Sequence, residues 1–236
     1  MKPSDILIII PTRGRPHSVA PLVKAWRKTG AEAELLLALD EDDPALQAYL
    51  DAVADLPDVP LPQVGQVMVQ IEPRRRLVGT LNEAATLFAP DYAAVGFMGD
   101  DHRPRTEGWD RRFAECLSGG AGLVYGNDML VGERFPTAVV MTSDIIQTLG
   151  YMAPPAFVHL CVDLVWRDWG QGMGRITYLP DVVIEHVHPA AGKGKMDVSY
   201  TESNSRAMVA ADSAAYYDYR DNGGLAADLV KLKELL

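Results

Sequence analysis

An α/β fold, with a mostly parallel central sheet and helices on both faces, is what this 236-residue sequence predicts. Three observations carry that expectation. The apolar runs "ILIII" (6–10), "AELLLALD" (33–40) and "AAVGFM" (93–98) are near-continuous, as strands buried on both faces are. Helical periodicity separates them, so the first half reads β-α-β-α-β-α-β. The unusual polar residues stand directly after the runs, and in such sheets ligands bind outside the carboxyl ends of the strands.

Each element follows from local signals. After the first strand comes the breaker-rich "PTRGRP", then a helix with Val19, Leu22, Val23 and Trp26 on one face and Gly30 as its C-cap. The second strand leads into a helix with Asp43 as N-cap and Pro44 at its first position. "QVMVQIEP" (66–73) is a third strand, and "RRRLVGTLNEAATLFA" (74–89) is a helix that turns Leu77, Leu81, Ala84, Ala85 and Phe88 to one side. Beyond the fourth strand we expect a helix at 106–119, a strand at 121–128 and a strand leading into a helix at 137–150. A helix at 160–170 turns Leu160, Leu164, Val165 and Trp169 inward, and a broken strand pair follows at 176–189. Residues 1–204 form one domain, and 205–236 are a helical extension packed on it. Tyr216, Tyr217 and Tyr219 there either cap the domain or make a homodimer contact.

Composition narrows the function. A net charge of −10 argues against a broad nucleic-acid-binding face, which needs a basic surface. The two cysteines have no zinc or redox spacing, no apolar run reaches membrane length, and a reduced, cytoplasmic protein is expected. No GxGxxG follows the first strand and no Walker A sequence exists, so an ordinary dinucleotide dehydrogenase or P-loop enzyme is excluded.

Four groups of residues can carry chemistry. Asp100, Asp101 and His102 end the fourth strand, where oxygen and imidazole ligands suit a hard divalent cation; a plain polar turn is the bland alternative. His186 and His188 lie in "EHVHP", and we expect only one of them to face the site as a further metal ligand. Asp163 sits within an apolar helix, either as a general base facing a cleft or paired with Arg167 one turn on. Arg13, Arg15, Arg74, Arg75, Arg76, Lys193 and Lys195 fall in loops at one sheet edge, which in an acidic protein fits a diphosphate; the 192–195 loop would act as a lid. Tyr151, Pro154, Pro155 and Phe157 either stack on a sugar or pack as an ordinary loop.

In this order the elements resemble a glycosyltransferase of the GT-A fold, near the family 2 type: "ILIIIPTRGRP", "LLLALDEDDP", "RLVGTLNEAATLFAPDY", "VGFMGDDHRP" and "CVDLVWRDWG", over roughly residues 5–190. That fold is the Rossmann-like nucleotide-diphospho-sugar transferase fold. The resemblance implies Mn²⁺ or Mg²⁺ held by Asp101 with Asp100 or His102 and by His186 or His188. It implies a nucleoside-diphosphate sugar, a UDP-sugar foremost, contacted by Pro11, Thr12, Arg13, Arg15, Asp40, Asp42, Arg76, Asp100, Lys193 and Lys195. Asp163 would be the catalytic base for an acceptor the sequence does not name, and Asn82 would lie near the diphosphate. The sequence departs from the family pattern in having Gly-Asp-Asp-His at the metal motif and Val-Asp rather than Glu-Asp on the helix, so inversion and retention both stay open. A sugar-nucleotide nucleotidyltransferase, a metal-dependent hydrolase and a non-catalytic nucleotide-sugar or glycan binder are the alternatives.

Overall fold

The computed structural model describes residues 1–56, 67–194 and 196–236. β1 (Ile6–Thr12) is apolar throughout because both its faces are covered: Ile6 to Ile10 are 0% exposed. β2 (Glu34–Asp40) and β4 (Ala94–Phe97) flank it in parallel, and β3 (Val67–Glu72) extends the sheet beyond β2. The order is β3-β2-β1-β4-β7-β6-β8-β5, where β5 is His102–Pro104, β6 Leu123–Asn127, β7 Val139–Thr142 and β8 Ile176–His186. β7 and β5 run against the rest.

Alternate residues of β1 and β2 feed two cores, as the two-residue period of a strand requires. Ile6, Ile8, Ile10, Leu35 and Leu37 pack with α1 (Val19–Lys28) and α4 (Trp109–Leu117). Leu7, Ile9, Leu36 and Val95 pack on the other face with α3 (Arg76–Phe88), α5 (Ser143–Leu149) and α6 (Val162–Met173). Val19, Leu22, Val23 and Trp26 are buried along α1 as expected, and Gly30 (φ +65°) follows its end.

Three local expectations give way. α2 runs Leu46–Ala54, later than Asp43 and Pro44 suggest, although Asp43 still makes a cap-type bond: one oxygen accepts the Ala45 amide two residues on at 2.8 Å and the other the Gly14 amide at 2.7 Å. Residues 176–186 are one strand, not a broken pair; Pro180 lies in it, and its pairing with β6 shifts register between Gly126 and Asn127. Leu160 precedes α6, whose inward face is Val162, Val165, Trp166, Trp169 and Met173.

α7 (Val198–Ser203), α8 (Arg206–Asp221) and α9 (Gly224–Lys233) follow the sheet. Tyr216 and Leu232 join the core beside α6. Buried Asp228 accepts the hydroxyls of Tyr151 (2.7 Å) and Tyr219 (2.6 Å), and Tyr219 in turn accepts the Trp169 indole N–H at 2.7 Å. Tyr216 and Tyr219 therefore pack within this chain, while Tyr217 is exposed beneath Arg220. Tyr151 and Phe157 are packing residues, the latter 3% exposed. Among the described residues no helix is long and apolar enough to cross a membrane.

Candidate active site

A cavity of about 320 Å³ opens at the carboxyl ends of β1, β2 and β4. It collects Pro11, Arg13 and Arg15 from β1 and its loop, Asp40 from β2, Arg74 and Arg76 before and at the start of α3, and Asp100, Asp101 and His102 from the turn between β4 and β5. His186, His188, Asp163 and Trp166 line it as well.

The Asp100–His102 turn is built from below. Asp100 is 5% exposed; its Oδ2 accepts the Thr12 hydroxyl at 2.5 Å and its Oδ1 the Arg15 guanidinium at 3.0 Å. Burial raises the Asp100 carboxyl above its ordinary value against the pull of Arg15. Thr12, also held by Tyr49 at 2.7 Å, is thus a buried support rather than part of the cavity lining. Arg103 donates one nitrogen to the carbonyls of Asp100 and His102, each at 2.7 Å, clamping the backbone from outside. Gly99 is required by close approach: a Cβ there would stand 2.7 Å from Asp101 Oδ1 and 3.1 Å from His102 Nδ1.

Antiparallel pairing of β5 with β8 sets His102 opposite His186, with their rings stacked at 4.1 Å. One ligand atom each from Asp101, His102 and His186 lie within 4.8 Å of one another. Asp101 Oδ2 is 3.4 Å from His186 Nε2, and Asp101 Oδ1 is 3.5 Å from His102 Nδ1. Burial opposes the Asp101 charge, but these two imidazoles outweigh it and hold the carboxyl well below the usual carboxylate range. Burial, and then the His186 ring, keep His102 below the ordinary imidazole value. His102 Nδ1 accepts the Gly99 N–H at 3.0 Å and its Nε2 meets Thr137 Oγ1 at 3.4 Å, so both its ring nitrogens are engaged. His186 Nδ1, by contrast, is buried without a hydrogen-bond partner among the described residues. An oxygen beside imidazoles fits a divalent cation: of the three residues, Asp101 Oδ2 and His186 Nε2 face each other, while both ring nitrogens of His102 are already held by Gly99 and Thr137. The expectation that one of His186 and His188 alone faces the site is corrected. His186 ends β8 and His188 lies just beyond it, the two rings lie 4.7 Å apart, and both line the cavity.

The basic residues divide. Arg13 reaches Asp40 at 2.9 Å and Asp42 at 2.5 Å; Asp40 lines the cavity and Asp42 holds Arg13 from outside the lining. Arg76 and Cys161, both with positive φ (58° and 65°), are non-glycine residues in the left-handed region, and both line the cavity. Lys193 lies outside the lining, pairing with Glu185 at 2.5 Å, and Lys195 lies outside the described residues. Arg75 pairs with Glu83. Asn82 does not reach the cavity; it receives the amides of Met152 and Ala153, each at 2.9 Å, and fixes that loop against α3.

Asp163 faces the cavity from the first turn of α6. Arg167 does not neutralise it by direct pairing, because that guanidinium is bound to Asp168 at 2.7 Å. Burial pushes the Asp163 carboxyl up to about 6. Its Oδ1 accepts the Leu164 amide at 2.9 Å. The segment leading to it is held by Asp212, a buried carboxylate on α8 that receives the amides of Val158 (3.0 Å), His159 (2.8 Å) and Leu160 (2.6 Å). Arg103, Asp212, Tyr200 and Glu202 had no motif to mark them; the one available signal was the basic residue directly after Asp-Asp-His.

No protein-family profile matches the sequence, and no curated protein is significantly similar to it. Solved structures are similar in fold. A mannosyltransferase from Pyrobaculum calidifontis in complex with GDP-mannose and Mn²⁺ superposes with a TM-score of 0.60 at 13% identity, over 98% of this chain and 86% of that one. TarS of S. aureus in complex with UDP-GlcNAc gives 0.56 at 12% identity, over 86% of this chain and 64% of that one. The fold of this chain is the GT-A fold.

Proposed function

We propose that this protein is a metal-assisted glycosyltransferase, moving a glycosyl group from a nucleoside-diphosphate sugar to an acceptor hydroxyl. The observation that carries this reading is the enclosure of three parts in one cavity: the Asp101–His186 pair, the arginines, and Asp163 without a direct cationic partner.

Asp101 and His186 would hold Mn²⁺ or Mg²⁺, which when bound supplies neutralisation for the charge of the departing nucleoside diphosphate. Arg13, Arg15 and Arg76 bind and orient the phosphate oxygens, with guanidinium geometry suited to them. Pro11 and Asp40 line the end of the cavity where the nucleoside lies. The second carboxylate oxygen of Asp163 takes the proton of the acceptor hydroxyl, and a pKa near 6 leaves that oxygen ionised at neutral pH yet basic enough to work. A base on the acceptor side fits inversion at the sugar carbon. Two neighbours bind GDP-mannose and UDP-GlcNAc, so these are the first donors to try.

A thermal-shift screen of UDP, GDP, CDP, dTDP and the two sugar nucleotides, each with and without Mn²⁺, tests the reading. A ligand that binds the folded state raises its melting temperature. A shift that needs both metal and one nucleoside diphosphate is expected. No shift with any nucleotide sinks the reading, and a shift with metal alone moves a hydrolase to the front.

A further inference from the structure

The arginines at the phosphate end of the cavity already hold carboxylates, and some of these come from one late segment. Arg74 Nη2 donates to both oxygens of Glu202 at 3.0 Å, and Arg76 reaches the same carboxylate at 2.9 Å. Arg15 holds Asp197 through two nitrogens, at 2.6 and 2.9 Å. Glu202, Tyr200, Ser199 and Asn204 line the cavity with the arginines. A planar carboxylate gripped by two guanidinium groups has the shape and charge of a phosphate edge.

The attachment of this segment is unlike that of the helices after it. α7 buries none of its residues; Val198 is 83% exposed and Met196 64%. Besides the ion pairs, it is held by the Ser199 hydroxyl donating to the Arg13 carbonyl at 3.0 Å and by Tyr200 against the His188 ring at 5.1 Å. Exposed ion pairs are individually weak, so contacts of this kind are cheap to exchange for others of the same sort. Glu202 and a diphosphate cannot both occupy Arg74 and Arg76, since like charges at that distance repel.

We infer that Glu202 is an internal stand-in for the donor's diphosphate: it competes for Arg74 and Arg76, and donor binding displaces it together with α7. This rests on the nucleotide-sugar reading above.

The test is calorimetric titration of wild type and Glu202→Gln with inorganic pyrophosphate, GDP and UDP, each with Mn²⁺, alongside hydrogen exchange of the 196–204 amides without ligand. Glutamine keeps the size and loses the charge, at a half-buried position on a helix that buries none of its residues. Binding about three- to tenfold tighter in Glu202→Gln is expected, together with faster exchange across α7. Equal affinities, or unchanged exchange, overturn the proposal and leave the nucleotide reading standing. Weaker binding in Glu202→Gln also overturns it, by making Glu202 a ligand of the donor. If neither protein binds any of the three probes, the nucleotide reading and the proposal fall together.

Discussion

The cavity has two walls made by different physics. One is the row of strand ends, where β1 is 0% exposed from Ile6 to Ile10 and Asp100 is locked by Thr12 and Arg15. The other is α7, which buries no residue and is tied largely by charge. The difference separates two tasks. Groups that must stand at fixed distances, Asp101 and His186, belong to the wall held by sheet pairing and buried hydrogen bonds, where preorganisation is strongest. Groups that must admit and release a ligand belong to the wall that lets go easily.

Five substitutions would break or sharpen that contrast. The largest effect is expected at Asp163: Asp163→Asn should lower transfer by about 10²–10⁴-fold while donor binding, read by calorimetry, stays. The same change should stabilise the protein. Burial raises the folded-state pKa to about 6, so between the ordinary carboxylate value and about 6 the folded state keeps a proton the unfolded state has lost. Wild-type stability therefore falls as pH rises through that window, and the advantage of Asp163→Asn in urea unfolding should grow from pH 4 to pH 7 and then level off. It should reach about 2 kcal/mol once water in the cavity is allowed for. A variant that is less stable at pH 7, or that turns over normally, removes Asp163 as base.

Next is Gly99→Ala, whose Cβ would stand 2.7 Å from Asp101 Oδ1. Mn²⁺ affinity, followed by electron paramagnetic resonance, should drop about ten- to a hundredfold, and Asp101→Ala should abolish metal-dependent nucleotide binding outright. Unchanged binding in both would take the metal away from this turn. Thr12→Val leaves the buried Asp100 and Tyr49 each short of a partner, and should cost about 1–3 kcal/mol in urea unfolding. The smallest effect belongs to Asp197→Ala on the loose wall, about 1 kcal/mol, because Asp197 both pairs with Arg15 and accepts the Tyr200 amide as the cap of α7. Should Asp197→Ala cost more than Thr12→Val, the two walls have been assigned the wrong way round.

The strand framework was readable because burial on both faces forces continuous apolar runs, and "ILIII" and "LLLALD" are β1 and β2. The residues after those strands were readable for the same topological reason, and Arg13, Asp40, Asp101 and Asp163 meet in one cavity. What escaped is what depends on distant partners. Asp43 looked like a helix cap and does accept the Ala45 amide, but its other oxygen also holds Gly14 from another loop. Lys193 looked like a phosphate ligand, yet Glu185 lies within its reach. Asp212 and Glu202 act through backbone amides or arginines far away in the chain, and no local pattern encodes such pairings.

The pairing of His102 with His186 also fixes when the protein becomes competent during its own synthesis. β1 to β4 and their helices emerge first and can assemble early, since domains form from the N-terminal side as the chain is made. Completing the Asp101–His102–His186 cluster needs β8 to dock between β6 and β5, a late, non-local event of the kind that slows folding. A nascent chain that has not yet delivered residue 186 carries Asp101 and His102 without the third member of their cluster.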